Sequence, residues 1–207
     1  MLPPTNRREL FALKKGSKMA ELLEVKNLSV SFDTPDGEAE AVRDVSFFVK
    51  KGETLAIVGE SGCGKSVLCR SIMKLLPKTA RIKSGSVLLD GKEITGLTEK
   101  EMQKLRGNSF SMVFQDPMTT LNPAMTVGAQ IAEAVIIHRP EFSREEVRCR
   151  VWELMELVGI DHPKERAAQY PWNFSGGMRQ RSVLAIALAS EPAVLLADEP
   201  TTALDVT

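Results

Sequence analysis

The sequence predicts an α/β fold. Two short, continuous apolar runs, Leu55-Ala56-Ile57-Val58 and Ala193-Val194-Leu195-Leu196-Ala197, have the character of strands buried on both faces. Segments with apolar residues at helical spacing lie between them, and a turn-punctuated, strand-like stretch precedes the first. Together they predict a buried parallel sheet with flanking helices, a small antiparallel sheet in front, and a helical insertion. Composition agrees. Of 207 residues, 43% are hydrophobic and 26% charged, and 27 basic side chains balance 27 acidic ones. That is the make-up of an ordinary globular chain with ample material for a core. Zero net charge argues against a protein that holds nucleic acid by bulk charge, so no nucleic-acid partner is expected. No apolar run approaches the roughly 18 residues of a membrane-spanning helix. Cys63, Cys69 and Cys149 are too few for a disulfide framework and lack metal-ligand spacing.

The elements follow in order. Residues 1–18 carry five basic side chains against Glu9 alone, and the apolar patch Leu10-Phe11-Ala12-Leu13 is shorter than the about 7–15 residues of a signal core. Residues 1–19 are therefore expected to be a disordered lead-in, or to precede a start at Met19; a targeting segment is the weaker alternative. Leu22 to Val25, Leu28 to Phe32 and Ala41 to Val49 read as strands, reversing at Thr34-Pro35-Asp36-Gly37. Gly59 ends the first buried strand, and Lys65 to Leu76 reads as a helix stopped by Pro77. Ser86 to Leu89 returns to strand before an Asp90-Gly91 turn. The stretch from about 118 to 180 is mostly helical. Its clearest helix opens at Ser143, where Glu146 completes a capping box; Val147, Val151, Leu154, Met155 and Val158 share one face, and Gly159 stops it. Another helix runs from Ser175 to about Ser190.

Gly59-Glu60-Ser61-Gly62-Cys63-Gly64-Lys65-Ser66 fits the phosphate-binding loop pattern G-x-x-x-x-G-K-[ST], between a buried strand and a helix as the pattern requires. Glycines let the backbone wrap closely round phosphates, and successive N–H groups at a helix start favour negative charge. Lys65 is placed to reach the β- and γ-phosphates and Ser66 to ligate Mg²⁺. Cys63 fits as a small filler. A chance glycine-rich turn is the bland alternative. At the end of the second buried strand, Asp198 can hold Mg²⁺ and Glu199 can polarise the water that attacks the γ-phosphate. An acidic turn capping a strand would look the same in isolation. Phe174-Ser175-Gly176-Gly177-Met178-Arg179-Gln180 offers a hydroxyl, close-approaching backbone and free N–H groups at a helix start; alone, it reads equally as a helix cap.

These motifs, in this order, make residues 22–207 resemble the nucleotide-binding subunit of ABC transporters. The resemblance implies a P-loop NTPase (RecA-like) core with an antiparallel β subdomain, an inserted helical subdomain and final strands missing. Residues 20–207 would be a partial nucleotide-binding domain. Residues 59–66 match Walker A and 194–199 match Walker B. Gln115, in Val113-Phe114-Gln115-Asp116-Pro117, matches the Q-loop, whose glutamine senses Mg²⁺ and the attacking water near the membrane partner. Ser175, Gly176, Gly177 and Met178 match the signature loop, which faces the γ-phosphate of ATP bound by the other subunit of a head-to-tail dimer. Thr202-Ala203-Leu204-Asp205 match the D-loop that crosses that interface. Phe32 falls at the family's adenine-stacking aromatic, although an ordinary edge-strand residue would look alike.

The signature departs from the common form, with Phe174 for Leu and Met178 for Gln. That variant, with the strings Gln115–Pro123 and Thr201–Thr207, resembles the ATPases of dipeptide and oligopeptide importers; relatives that carry nickel or glutathione share it. The resemblance implies ATP and Mg²⁺ as cofactors, a second ATPase subunit, two integral membrane permease subunits and, indirectly, an extracytoplasmic solute-binding protein. The implied location is the cytoplasmic face of the cell membrane. Family members continue with a further core strand ending in a switch histidine; His138 and His162 both precede Walker B, and neither matches it. The sequence is thus expected to be a C-terminally truncated ATPase, inactive by itself. A catalytically silent cassette that binds nucleotide or a partner, and a soluble ABC ATPase acting on DNA or ribosomes, are the alternatives.

Overall fold

The computed structural model describes the backbone of residues 11–13 and all of residues 21–114 and 120–198. It divides into two compact units, Met1–Met102 and Gln103–Thr207.

The first unit is built on a long hairpin. Strands β2 (Glu21–Thr34) and β3 (Gly37–Lys50) pair antiparallel, and Thr34 sits opposite Gly37 across the expected turn. The two short strands expected at 22–25 and 28–32 are one strand with a bulge. Burial runs through Leu23 and Val25, then changes phase to Leu28 and Val30, because Asn27 takes φ 48° and adds a residue to the ladder. Asn27 is held there by its N–H on Ser46 Oγ and its side-chain amide on Asp44 Oδ1. The third strand, β5 (Ala80–Leu89), follows the bulge through Gly85 at φ 92°, where a Cβ would meet Asn27 O and Leu28 Cα at 2.5 Å. Strand β6 (Lys92–Glu93) closes the sheet order β3-β2-β5-β6. Its hairpin with β5 turns on Asp90 and Gly91, both at positive φ, as a two-residue primed turn demands.

Strand β4 (Ala56–Val58) leads into helix α1 (Lys65–Ile72). Leu68 and Ile72 turn inward, and the helix touches β2 and β3. It ends four residues before the expected stop at Leu76. Lys74 takes φ 52°, Leu75 N–H closes onto Arg70 O at 2.8 Å, and the Lys74 ammonium is fixed on the carbonyls of Thr95 and Leu97. Helix α2 (Glu99–Leu105) follows, and the division between units falls within it.

Two expectations about the sheet are corrected. Strand β4 was expected to be buried on both faces, yet Ala56 and Val58 are exposed, Val58 by 47%. Its partner is β1 (Phe11–Leu13), antiparallel with Ala12 opposite Ile57, inside a stretch where no regular element was expected. An edge strand's open N–H and C=O groups accept whatever extended backbone reaches them. Among the described residues β1 is the only strand paired with β4, so nothing described there covers its faces with further sheet.

The second unit combines a parallel strand pair with a helical bundle. Strand β7 (Phe110–Val113), buried at every position, pairs in parallel with β8 (Val194–Ala197). Leu195 of β8 is 37% exposed, so this strand too falls short of burial on both faces. Helices α3 (Val127–His138), α4 (Arg144–Leu157), the single turn α5 (Pro163–Arg166) and α6 (Gly176–Leu188) supply the rest, with a 3₁₀ turn at Pro171–Asn173. Val127, Ile131, Leu154, Met155, Phe174 and Ala185 anchor one core cluster. The capping box stands as expected, with Ser143 N–H on Glu146 Oε2 at 2.7 Å and Glu146 N–H on Ser143 Oγ at 3.3 Å. Gly159 follows the end of α4 at positive φ.

Candidate functional site

Within the first unit, β4 delivers Gly59 and α1 begins at Lys65, so the glycine-rich loop spans the strand-to-helix junction its pattern calls for. The helix is entered without a side-chain cap. Gly64 is the N-cap residue, in the left-handed region at φ 100°, and a Cβ there would stand 2.4 Å from Ala41 O of β3. Only glycine fits both the torsion and the close approach. The Lys65 ammonium turns back into the loop and donates to Gly59 O and Glu60 O, each at 2.9 Å, with Cys63 Sγ at 3.9 Å. Cys63 is buried, in keeping with a filler, and its N–H closes onto Glu60 O at 3.2 Å. Glu60, Ser61 and Gly62 are exposed on the outside of the loop. Leu68 N–H donates to Gly64 O at 2.9 Å, opening a helix whose first turn bears no acidic side chain. Such a loop is suited to anionic oxygens. Phe32, also in the first unit, is half-buried near the end of β2, between Ala39 of β3 and Ala80 of β5.

In the second unit, Asp198 follows β8 directly and is 3% exposed. Its N–H donates to Val113 O at 2.9 Å, so the parallel pairing brings Asp198 beside the end of β7, where the chain leaves toward Gln115. Gln115 and Glu199 themselves lie outside the described residues, as do Asp116 to Thr119 and the whole Thr201–Thr207 stretch. Strand β7 went unnoticed in the sequence, although the run Phe110-Ser111-Met112-Val113 carries the signal of a short buried strand. Gln130 of α3 is a further unforeseen organiser. Its side chain accepts from Asn122 N–H at 2.8 Å and donates to Asn122 O at 3.0 Å, pinning the turn before α3.

The loop at 174–178 starts α6. Ser175 has extended torsions and its hydroxyl accepts from Met178 N–H at 3.3 Å, an N-cap in full. Phe174 is buried in the helical core at 2% exposure, and Arg179 Nε donates to Pro171 O at 2.8 Å and Phe174 O at 3.1 Å. The first turn of α6 carries no acid, so the amides of Gly176 and Gly177 face no competing carboxylate of their own helix. Met178 Sδ lies 3.7 Å from an Arg166 guanidinium nitrogen. Among the described residues no cluster of three His, Cys, Asp or Glu side chains could hold a metal ion. The oxygen donors expected for Mg²⁺, hard ligands of the kind it selects, are the Ser66 hydroxyl, the buried carboxylate of Asp198 and the side-chain amide of Gln115, which lies outside the described residues. Among the described residues no helix is long and apolar enough to cross a membrane.

Comparison with known proteins agrees with this arrangement. The family model described as ABC transporter matches residues 42–202. The oligopeptide transport ATP-binding protein OppD of Bacillus subtilis (strain 168) is 56% identical over 191 residues, covering 92% of this chain and 53% of that protein. The dipeptide transport ATP-binding protein DppD of the same organism is 55% identical over 190 residues, covering 91% and 56%. OppD of Escherichia coli (strain K12) is 49% identical over 186 residues, covering 90% and 55%. The chain thus spans about half the length of these relatives. Among solved structures, the dimeric structure of MJ0796, a bacterial ABC transporter cassette, superposes with a TM-score of 0.76 at 29% identity, over 89% of this chain and 76% of that one. A dimeric post-hydrolysis state of the same cassette, bound to ADP and Pi, fits equally well. With a family model matching residues 42–202 and relatives about half identical over some nine-tenths of it, the chain belongs to the ABC transporter family.

Proposed function

We propose that the chain is the nucleotide-binding part of an ATP-hydrolysing subunit that drives peptide uptake through membrane partners. The observation that carries the nucleotide half of this reading is the entry into α1: a glycine N-cap at φ 100° under Ala41 O, with Lys65 folded into the loop. The solute half rests on the relatives, which are named for oligopeptide and dipeptide transport.

In this reading Lys65 leaves the carbonyls of Gly59 and Glu60 for the β- and γ-phosphates, and the amides of Gly62 to Ser66 take phosphate oxygens. Phe32 stacks on the adenine. Ser66 and Asp198, with Gln115, would hold Mg²⁺, which would supply charge neutralisation at the phosphates. Glu199 takes the proton of the attacking water as the γ-phosphate leaves. The amides at Ser175 to Met178 meet the γ-phosphate of ATP on a second ATPase subunit, so turnover requires head-to-tail pairing. The segment around Gln115 passes closure on to two permease subunits, placing the protein on the cytoplasmic face of the membrane; a solute-binding protein delivers the cargo from outside.

The test is phosphate release by the complete subunit in its transporter, with and without Glu199→Gln. Peptide-stimulated turnover lost in the variant, with ATP still bound, is the expected result. Turnover retained by Glu199→Gln, or a complex that no peptide stimulates, would sink the corresponding half of the reading.

A further inference from the structure

Helix α6 packs two faces against two different neighbours. Met178 and Ala185 belong to the cluster shared with α3 and α4, whereas Val183 and Ala187 join Val113 of β7 and Leu121. At about 100° per residue, Gln180 lies about 20° from Ala187 and about 60° from Val183 round the helix, so it belongs to the second face. It is 6% exposed, and its Oε1 accepts from no donor among the described residues. Other polar side chains of α6 are satisfied: Ser182 Oγ donates to Met178 O at 2.9 Å, and Arg181 reaches Gly159 O. A buried acceptor with no donor costs more than an apolar side chain of the same shape. Packing alone therefore gives no reason for a glutamine on this face. The face meets the carboxyl end of β7, where Val113 O takes Asp198 N–H at 2.9 Å and the chain is two residues short of Gln115. Side chains on a helix lean toward its N-terminus, so the Gln180 amide also lies over the turn that opens at Ser175.

We propose that Gln180 is a positioning residue that ties the signature helix to the carboxyl end of β7, its buried Oε1 taking a donor presented there when nucleotide is bound. This rests on the reading that Ser175 to Met178 meet ATP on a second subunit, while Gln115 serves the chain's own nucleotide. In that arrangement α6 answers to one site and β7 leads to the other. A bond between them makes each site respond to the state of its partner. Gln180 itself touches neither nucleotide; it acts through the placement of Ser175 and Gln115. An acceptor satisfied in one arrangement and idle in another contributes its whole bond to the difference between them. In this structure the acceptor is idle among the described residues, which is the arrangement that leaves the bond to be made.

The test uses the complete subunit in its transporter and compares the parent with Gln180→Met, which keeps the length of the side chain and removes the acceptor. Removing an idle buried acceptor should leave the melting temperature of the nucleotide-free subunit at or above that of the parent. The kcat for ATP hydrolysis should nevertheless fall about tenfold, with KM for ATP held within about twofold. Lower melting, with kcat falling in step, would make Gln180 an ordinary packing residue and overturns the proposal. A rise in KM with kcat held would put Gln180 in nucleotide binding and overturns it as well. Glu199→Gln, measured alongside, isolates the reading beneath. Turnover surviving in Glu199→Gln overturns that reading and the positioning role with it. Turnover lost there, yet intact in Gln180→Met, overturns the positioning role alone.

Discussion

Helices α1 and α6 both begin at glycine-bearing loops that suit anions, and they begin in opposite ways. The first is entered through Gly64 at φ 100°, with no side-chain cap and a lysine folded onto the loop's own carbonyls. The second is entered through Ser175 in extended torsions, with its hydroxyl on Met178 N–H and Arg179 tying down the turn before it. Capping alone accounts for everything at the second loop. It accounts for nothing at the first, where a left-handed residue is pressed against Ala41 O and a partly exposed lysine ammonium bonds two loop carbonyls. Geometry therefore argues for a ligand at residues 59–66 by itself. At residues 174–178 the same inference needs the order of motifs and the relatives.

The strongest way to break this contrast is Gly64→Ala. The new Cβ must avoid Ala41 O at 2.4 Å while the backbone stays at φ 100°, so the loop cannot keep its shape. A loss on the order of 3 kcal/mol of stability is expected, with nucleotide affinity reduced beyond measurement. Calorimetric melting and nucleotide titration check it; near-wild-type affinity would mean the loop is not read from its backbone. Lys65→Ala separates function from folding at the same place. Its bonds are to loop carbonyls, so stability should move by no more than about 0.5 kcal/mol. Turnover by the complete subunit should fall by at least about 100-fold, since a positive charge at the phosphates is lost. Equal losses in both measurements would make Lys65 a structural residue.

Ser175→Ala tests the second loop from the other side. Loss of the cap should cost about 1 kcal/mol in melting experiments. If the loop is only a cap, that is the whole effect, and turnover of the assembled transporter falls no further than stability explains. Under the proposed function the expected result is a larger fall, roughly tenfold, because the hydroxyl that caps α6 would then also be the group offered to phosphate on pairing.

Local chemistry was legible in the sequence and tertiary burial was not. The Ser143–Glu146 box, the Asp90-Gly91 turn and the glycine loop each depend on residues a few positions apart, and each stands where its pattern puts it. The bulge at Asn27 escaped because it shifts alternation by one residue, which a pattern of strands shows only as a gap. Strand β4 looked buried because its side chains are apolar, but burial is conferred by neighbours, and its described neighbour is β1 alone. The stacking of Tyr170 on Trp172 escaped for a related reason: two rings flanking a proline meet only because that proline sits in a 3₁₀ turn.

A third helix start, that of α4, gives the cap-only reference that the comparison needs, and its expected effect is the smallest. Here the cap is reciprocal, and the Ser143 side chain, followed by its backbone N–H, holds the Glu146 carboxyl below the usual carboxylate range. A carboxyl depressed in the folded state adds stability that is fully present above its unfolded-state pKa. That contribution is lost as pH falls through the lower, folded value. Glu146→Gln keeps an acceptor at the same place but not the charge. Its melting temperature should therefore lie slightly below that of the parent at neutral pH, and the gap should close as the solution is taken below the ordinary glutamate range. The Ser175→Ala gap has no such partner, because the residue three positions on is Met178, and it should stay constant through the same acid range. A Ser175→Ala gap that closed in acid alongside that of Glu146→Gln would show that the start of α6 depends on a titrating group, and the distinction between a plain cap and an anion-receptive one would have to be redrawn.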